Sequence, residues 1–210
     1  MPGREEWTSI AESADAADLR EHILTGFKAG KPFTPYASTL DLPANLNQVL
    51  DFGCGVGRNF PYLRSIARHV TGFDLPPMIA RCRELGEPVD ALLDDWAILR
   101  GRRFDLIFAS LVLQHIESDR CSQYLRDFAS MTPAVYLLTR SDSDFGERVL
   151  ELVAAAGSYV AGVCREVEHD PQTHQLRVLR QVSFDEARRP GASTHYELLL
   201  QSGGTATAGS

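Results

Sequence analysis

The chain has 210 residues, 44% of them hydrophobic, which is enough for one well-buried core and short for two domains of ordinary size. A formal net charge of −7 and a pI near 5.4 offer no broad basic surface for a nucleic-acid backbone, so DNA and bulk RNA are not expected partners. Cys54, Cys82, Cys121 and Cys164 form no Cys-x-x-Cys pair and have no histidine at zinc-ligand spacing, Met1 to Glu12 has no signal-peptide core, and no run reaches the ~18 apolar residues of a membrane helix; a soluble cytoplasmic protein with reduced thiols, no metal and no membrane partner is the expectation.

Taken in order, Ser9 and Glu12 stand at capping-box spacing, and Leu19, Ile23 and Phe27 recur on one helical face until Gly30 and Pro32, which predicts a helix over residues 10–28. The stretch Gly30 to Leu46 carries Pro32, Pro35 and Pro43 with Phe33 and Tyr36 between them. It reads as a loop or broken helix whose aromatic side chains either cover a site or pack under a connector.

Next comes Val49-Leu50-Asp51-Phe52-Gly53-Cys54-Gly55-Val56-Gly57-Arg58-Asn59. Val49, Leu50 and Phe52 suit a buried pleated surface, and glycine at every second position lets the backbone turn tightly with no Cβ in the way of a bound molecule. Asn59 is placed to cap the following helix, with Pro61 in its first turn. Strand, glycine turn and helix in this order form the nucleotide-binding element of an α/β fold. A dinucleotide fingerprint would need glycine where Arg58 stands, and a phosphate-cradling loop would need Gly-Lys-Ser/Thr, which is absent. Asp51 instead puts a carboxylate at the strand tip, where a phosphate is repelled and an ammonium attracted. A ligand with an amino-acid tail is favoured.

Beyond the turn, the pattern predicts a helix over 59–67, a strand over 69–74 and a helix over 76–85 closed by Gly86 and Pro88, with a short strand at 89–93 following. A strand over 104–109 precedes a helix capped by Ser118 with Cys121, Tyr124, Leu125 and Phe128 on one face. A fifth strand covers 134–139, and Asp144 caps a helix with Phe145, Val149, Leu152, Val153 and Ala156 inward before Gly157. Strands alternating with helices predict a parallel sheet covered on both faces. From residue 159 the character changes. Residues 159–168, 175–183 and 195–201 are strand-like with no helical pattern between them, so an antiparallel edge is expected, its first turn at His169 to His174. Gly203 to Ser210 is small and polar and reads as a disordered tail.

The glycine turn resembles the first motif of class I S-adenosylmethionine-dependent methyltransferases, and further motifs follow in the family's order. Phe73-Asp74 resembles the acidic strand end, Asp94-Asp95-Trp96 the adenine segment, and Phe104 to Ser110 with Leu111 to Ile116 the fourth motif and its continuation. The resemblance covers roughly residues 45–157. It implies a Rossmann-like doubly wound sheet, mostly parallel with an antiparallel C-terminal edge, over residues 47–202, preceded by an N-terminal helix and lid-like segment at 1–46. It implies S-adenosyl-L-methionine as cofactor, with Asp51, Gly53, Gly55 and Gly57 at its methionine end and Asp74 and Leu75 at the ribose. Asp94, Asp95 and Trp96 fall at the adenine, Asp95 ahead of Asp94, with the Trp96 main chain as contact and its indole as packing. Ser110 and Leu111 line the transfer site, whereas Asp105 supports its strand.

His115 is either a base for a substrate hydroxyl, which its near-neutral pKa suits, or a packed residue before the Ser118 helix. The acidic charge and one-domain length favour a small-molecule or sugar-type acceptor ahead of protein or RNA, and Ser110-Leu111-Val112-Leu113 in place of an Asn-Pro-Pro-Tyr-like motif tilts toward methylation at oxygen or carbon, oxygen being preferred. Two other classes stand beside this reading: a dinucleotide-dependent oxidoreductase, opposed by Arg58, and a non-catalytic protein that binds S-adenosylmethionine as a sensor or partner subunit. The sequence carries no signal for oligomeric state.

Overall fold

The structure is a computed structural model that describes residues 4–15, 19, 38–140, 148–169, 175–189 and 195–202. Helix α1 (Arg4–Ser13) is followed by β1 (Leu46–Phe52), α2 (Phe60–Ile66), β2 (Ala67–Phe73), α3 (Pro76–Leu85), β3 (Ala91–Leu93) and the single turn α4 (Trp96–Leu99). Then come β4 (Leu106–Ser110), a 3₁₀ turn (Leu113–His115), α5 (Ser118–Met131), β5 (Ala134–Arg140), α6 (Val149–Ala156), β6 (Tyr159–His169), β7 (Leu176–Gln181), α7 (Phe184–Ala187) and β8 (His195–Ser202).

The strands form one sheet in the order β3-β2-β1-β4-β5-β8-β6-β7. β1 to β5 are parallel, and β8, β6 and β7 continue the sheet antiparallel. Alternation along the parallel strands divides the core in two, because successive side chains point to opposite faces. Val49, Leu106, Phe108, Tyr136 and Leu138 face α2 and α3, meeting Phe60, Leu63, Ile79 and Cys82. Leu50, Phe52, Ile107, Ala109, Val135 and Leu137 face α5 and α6, meeting Cys121, Leu125, Phe128, Val149 and Val153. Both faces are therefore covered, as the apolar runs of a parallel sheet require. The chain leaves β1 toward β2 and β3 and returns to lay β4 on the other side of β1, so the crevice between the carboxyl ends of β1 and β4 is the switch point where such sheets take ligands.

At the antiparallel edge, Glu197 of β8 is fully buried. It accepts hydrogen bonds from Tyr136 Oη, Ser38 Oγ and Thr39 N, each at 2.8 Å, and from Thr39 Oγ1, while Arg165 of β6 donates to the Thr39 carbonyl. The segment entering β1 is thereby tied to the far side of the sheet.

Several expectations change. The first helix starts at Arg4 and ends at Ser13, so Ser9 and Glu12 lie inside it and form no capping box. Glu5 and Glu6 occupy its first turn, where carboxylates suit the helix N-terminus. Its register is set by Trp7, Ile10, Ala11 and Ala14, which pack on Val56 and Met78. Residues 20–37, with Ile23, Phe27, Phe33 and Tyr36, lie outside the described residues, as do Asp144, Phe145, the 170–174 turn and the 203–210 tail. Glu117, not Ser118, holds the N-cap position of α5, and the buried Ser118 Oγ has no partner among the described residues. The C-terminal third is not purely strand: Ser183 caps α7 by accepting from the Glu186 N–H.

Candidate active site

The turn after β1 is built from glycines with positive φ: +76° at Gly53, +56° at Gly55 and +87° at Gly57. L-residues with a Cβ rarely adopt this region. At two of these positions glycine also makes room for the protein itself. A Cβ on Gly53 would come within 2.3 Å of Val112 Cγ2, and one on Gly57 within 2.6 Å of the Phe60 ring. Gly53 and Gly57 thus seat the protein's own side chains, which modifies the expectation of an open main-chain cradle at all three. The amides are spent as well. Gly53 N and Cys54 N donate to the Phe73 carbonyl at 2.8 and 3.1 Å, Gly57 N donates to the Cys54 carbonyl at 2.9 Å, and Gly55 N donates to Asp74 Oδ2 at 2.7 Å. A phosphate would need such N–H groups pointing outward, so a dinucleotide-type loop is a poor fit.

Asp51, the penultimate residue of β1, is fully buried between Gly72 of β2 and Phe108 of β4. Its Oδ1 accepts a hydrogen bond from Asn59 Nδ2 at 3.2 Å. Among the described residues its Oδ2 has no partner, and neither has Asn59 Oδ1. Burial pushes the Asp51 carboxyl up from its ordinary 3.8 to about 7; the Asn59 hydrogen bond opposes this and the nearby Asp74 charge adds to it. Asn59 does stand at the N-cap position of α2, but its side chain makes no capping bond. It turns back to Asp51 instead.

One strand over, Asp74 holds the turn: Oδ2 takes the Gly55 N–H and Oδ1 the Leu75 N–H at 2.7 Å. Burial outweighs these two bonds and raises its carboxyl to about 6. Asp95 caps α4, its Oδ1 accepting from Ala97 N at 2.8 Å, and Asp94 beside it is exposed. The Trp96 indole packs among Phe52, Phe73, Tyr124 and Phe128 and donates from Nε1 to Asp127 Oδ2 at 2.8 Å, in line with a packing role for the ring. Asp105 supports its strand as expected, Oδ2 accepting from Asn47 N and Gln48 N at 2.6 and 2.9 Å.

At the end of β4, Ser110 Oγ is buried without a partner among the described residues, and Leu111 adopts φ +54°. A bulky residue in the left-handed region is strained, and such strain gathers at functional sites. The bend is held by a 2.7 Å bond from Leu111 N to the Leu138 carbonyl and brings Val112 onto Gly53. Just beyond, His115 ends the 3₁₀ turn with its Nε2 3.5 Å from Gln114 Nε2. Gln114 Oε1 in turn accepts from Thr139 Oγ1 at 3.3 Å. The Trp7 ring of α1 meets His115 edge-on, with centroids 6.1 Å apart, and α1 as a whole lies on Val56 of the turn, Leu75 and Met78.

Asp51, the glycines, Asp74 and Leu75 therefore gather at the tips of β1 and β2, with Ser110, Leu111 and His115 at the tip of β4 beside them. Sequence reading missed Trp7, whose only signal is the 7-10-11-14 apolar spacing, and Val112, which carries none. It also assigned Asn59 a local role.

Residues 49–133 match the family model described as a methyltransferase domain. Among solved structures, the chain resembles a TehB-like S-adenosylmethionine-dependent methyltransferase from Corynebacterium glutamicum at 16% identity and TM-score 0.51, covering 94% of this chain and 95% of that one. It resembles the N-methyltransferase NodS from Bradyrhizobium japonicum, solved with S-adenosylhomocysteine, at 16% identity and TM-score 0.52, covering 76% and 79%. It also resembles the magnesium protoporphyrin IX methyltransferase ChlM from Synechocystis, again with S-adenosylhomocysteine bound, at 14% identity and TM-score 0.52, covering 77% and 75%. No curated protein matches it in sequence. The family match over β1 to α5 shows a methyltransferase domain at residues 49–133, set in a doubly wound sheet, the fold of the S-adenosylmethionine-dependent methyltransferases named above.

Proposed function

We propose that this chain is an S-adenosylmethionine-dependent methyltransferase that methylates a small-molecule or sugar-type acceptor at oxygen, with the donor held at the carboxyl ends of β1 and β2 and the acceptor admitted beside β4. The observation that carries the donor placement is Asp51 Oδ2, a buried carboxylate oxygen with no hydrogen-bond donor at the tip of the central strand. A buried acceptor without a donor is costly and calls for a ligand N–H. The ammonium of a methionine tail fits it and a phosphate does not. Asp74 and Leu75 follow at the ribose. For the adenine, the exposed Asp94 and the main chain at Trp96 are the contacts, with Asp95 serving through its cap of α4. Ser110 and Leu111, bent by the left-handed backbone, border the methyl.

The donor supplies a methyl group on a positively charged sulfur, already activated for attack. What remains for the chain is to align the acceptor, exclude water and take up a proton. In this reading α1 is a lid: its Trp7 side chain covers His115 while Ile10 and Ala11 seal the turn at Val56. His115 receives the proton of an acceptor hydroxyl on Nε2 once that nitrogen turns from Gln114 Nε2, whose amide Thr139 of β5 holds in place. The net charge of −7 supports a small acceptor over a nucleic acid.

The test is transfer of labelled methyl from S-adenosylmethionine into a fractionated cell extract. Label is expected in the small-molecule fraction as an alkali-stable methyl ether. Label confined to protein or RNA would overturn the acceptor class, and no transfer despite tight donor binding would favour the sensor reading.

A further inference from the structure

Asn59 lies two positions beyond the last glycine of the turn, in a helix-capping position whose capping bond it does not make. Its side chain is buried, with 5% of its surface exposed, and is committed through Nδ2 to Asp51 Oδ1, eight residues back on the strand. That leaves two buried acceptors, Asn59 Oδ1 and Asp51 Oδ2, on two side chains already joined by a hydrogen bond, and neither has a donor among the described residues. One oxygen in this state is uncommon in a folded protein. Two on a joined pair describe a seat for a group that brings several N–H donors at once.

A protonated primary amine is such a group, with three donors on one small cationic centre. A hydroxyl or an amide brings fewer and no charge to offset the carboxylate. One of the two Asn59 Nδ2 hydrogens is spent on Asp51. Asp51 alone would attract the amine but not orient it.

We propose that Asn59 is a donor-selecting residue: with Asp51 it forms a two-acceptor clamp that reads the α-ammonium of the methionine tail, and so favours ligands that carry it over adenosine thioethers that lack it. The inference rests on the donor placement proposed above and extends it to a residue outside the glycine motif. The Asn59 Nδ2 bond also favours the ionised form of Asp51, since it opposes the larger upward push of burial.

The experiment is a calorimetric comparison at pH 8 of S-adenosylhomocysteine with the same molecule lacking its α-amino group, against the wild-type chain, Asn59→Leu and Asn59→Ala. Melting temperatures are recorded alongside, and the alanine variant carries the comparison should the leucine variant fail to fold. The wild type is expected to prefer the amino ligand by more than tenfold. Both variants are expected to lose at least tenfold for the amino ligand while binding the deamino ligand within twofold of wild type. Equal losses for both ligands would show that Asn59 only shapes the turn and would overturn the proposal, as would unchanged selectivity. A wild type without preference for the amino ligand would instead overturn the donor placement itself, and the clamp with it.

Discussion

Two carboxylates on neighbouring stretches of the same sheet are fully buried, Asp51 on the parallel side and Glu197 on the antiparallel side. Glu197 is saturated: Tyr136, Ser38 and both the amide and hydroxyl of Thr39 donate to it. Asp51 has one donor for two oxygens. Burial costs both in the same way, and only one is compensated from within the chain. A satisfied buried charge holds a structure together, whereas an unsatisfied one at a switch point costs stability and is kept for what it binds.

The comparison breaks most readily at Glu197. Glu197→Ala leaves the Tyr136 hydroxyl and the Thr39 amide without their acceptor and opens a cavity, and should lower stability by roughly 3–5 kcal/mol, read by urea or thermal melts. Donor affinity of the remaining folded protein should be unchanged. At Asp51 the signs reverse. Its folded carboxyl sits at about 7 against an ordinary 3.8, so the folded state holds this proton more tightly than the unfolded chain. The stabilisation is present in full below pH ~4 and is lost as pH rises to ~7. Asp51→Asn should therefore raise the stability of the ligand-free protein at pH 8, by at most roughly 4 kcal/mol, with little change near pH 4. It should also weaken S-adenosylhomocysteine by at least a hundredfold. A loss of stability at pH 8 would place Asp51 in the same class as Glu197.

A smaller effect sharpens the contrast through pH alone. Because a cationic tail binds the ionised form, affinity for S-adenosylhomocysteine should fall about tenfold between pH 8 and pH 6 as Asp51 takes up its proton. Asp74, raised to about 6, should steepen the fall below that. Isothermal titration at several pH values measures both, and a flat profile would count against an ionised Asp51 in the site. Least in size is His115. His115→Ala should slow methyl transfer by roughly tenfold to a hundredfold near neutral pH, with the loss shrinking toward pH 9, where the acceptor hydroxyl needs less help. A normal rate across this range would leave the histidine as packing.

The parallel half was legible because its signals are local. Apolar runs mark β1, β2, β4 and β5, glycines mark the turn and the αL ends of α3 and α6 at Gly86 and Gly157, and the order of motifs points to the strand tips where Asp51, Asp74, Ser110 and Leu111 sit. What was not legible depends on partners far away in the chain. Nothing near β8 says that it inserts between β5 and β6, and nothing near Glu197 says that its donors arrive from residues 38 and 39. Asn59 shows the same limit on a shorter scale. A helix-start asparagine predicts a cap, but the uncompensated carboxylate eight residues back competes for its amide and wins, since a charged acceptor makes the stronger bond. Ser118 fails as a cap for a simpler reason: it is already the first residue of the helix, and Glu117 holds the N-cap position before it.

The most direct test of the whole account is a crystal structure with S-adenosylhomocysteine bound. Its amino group is expected within hydrogen-bonding distance of Asp51 Oδ2 or Asn59 Oδ1, and its ribose beside Asp74. Amino-acid tail and sugar lodged elsewhere, with Asp51 still lacking a second donor, would contradict it.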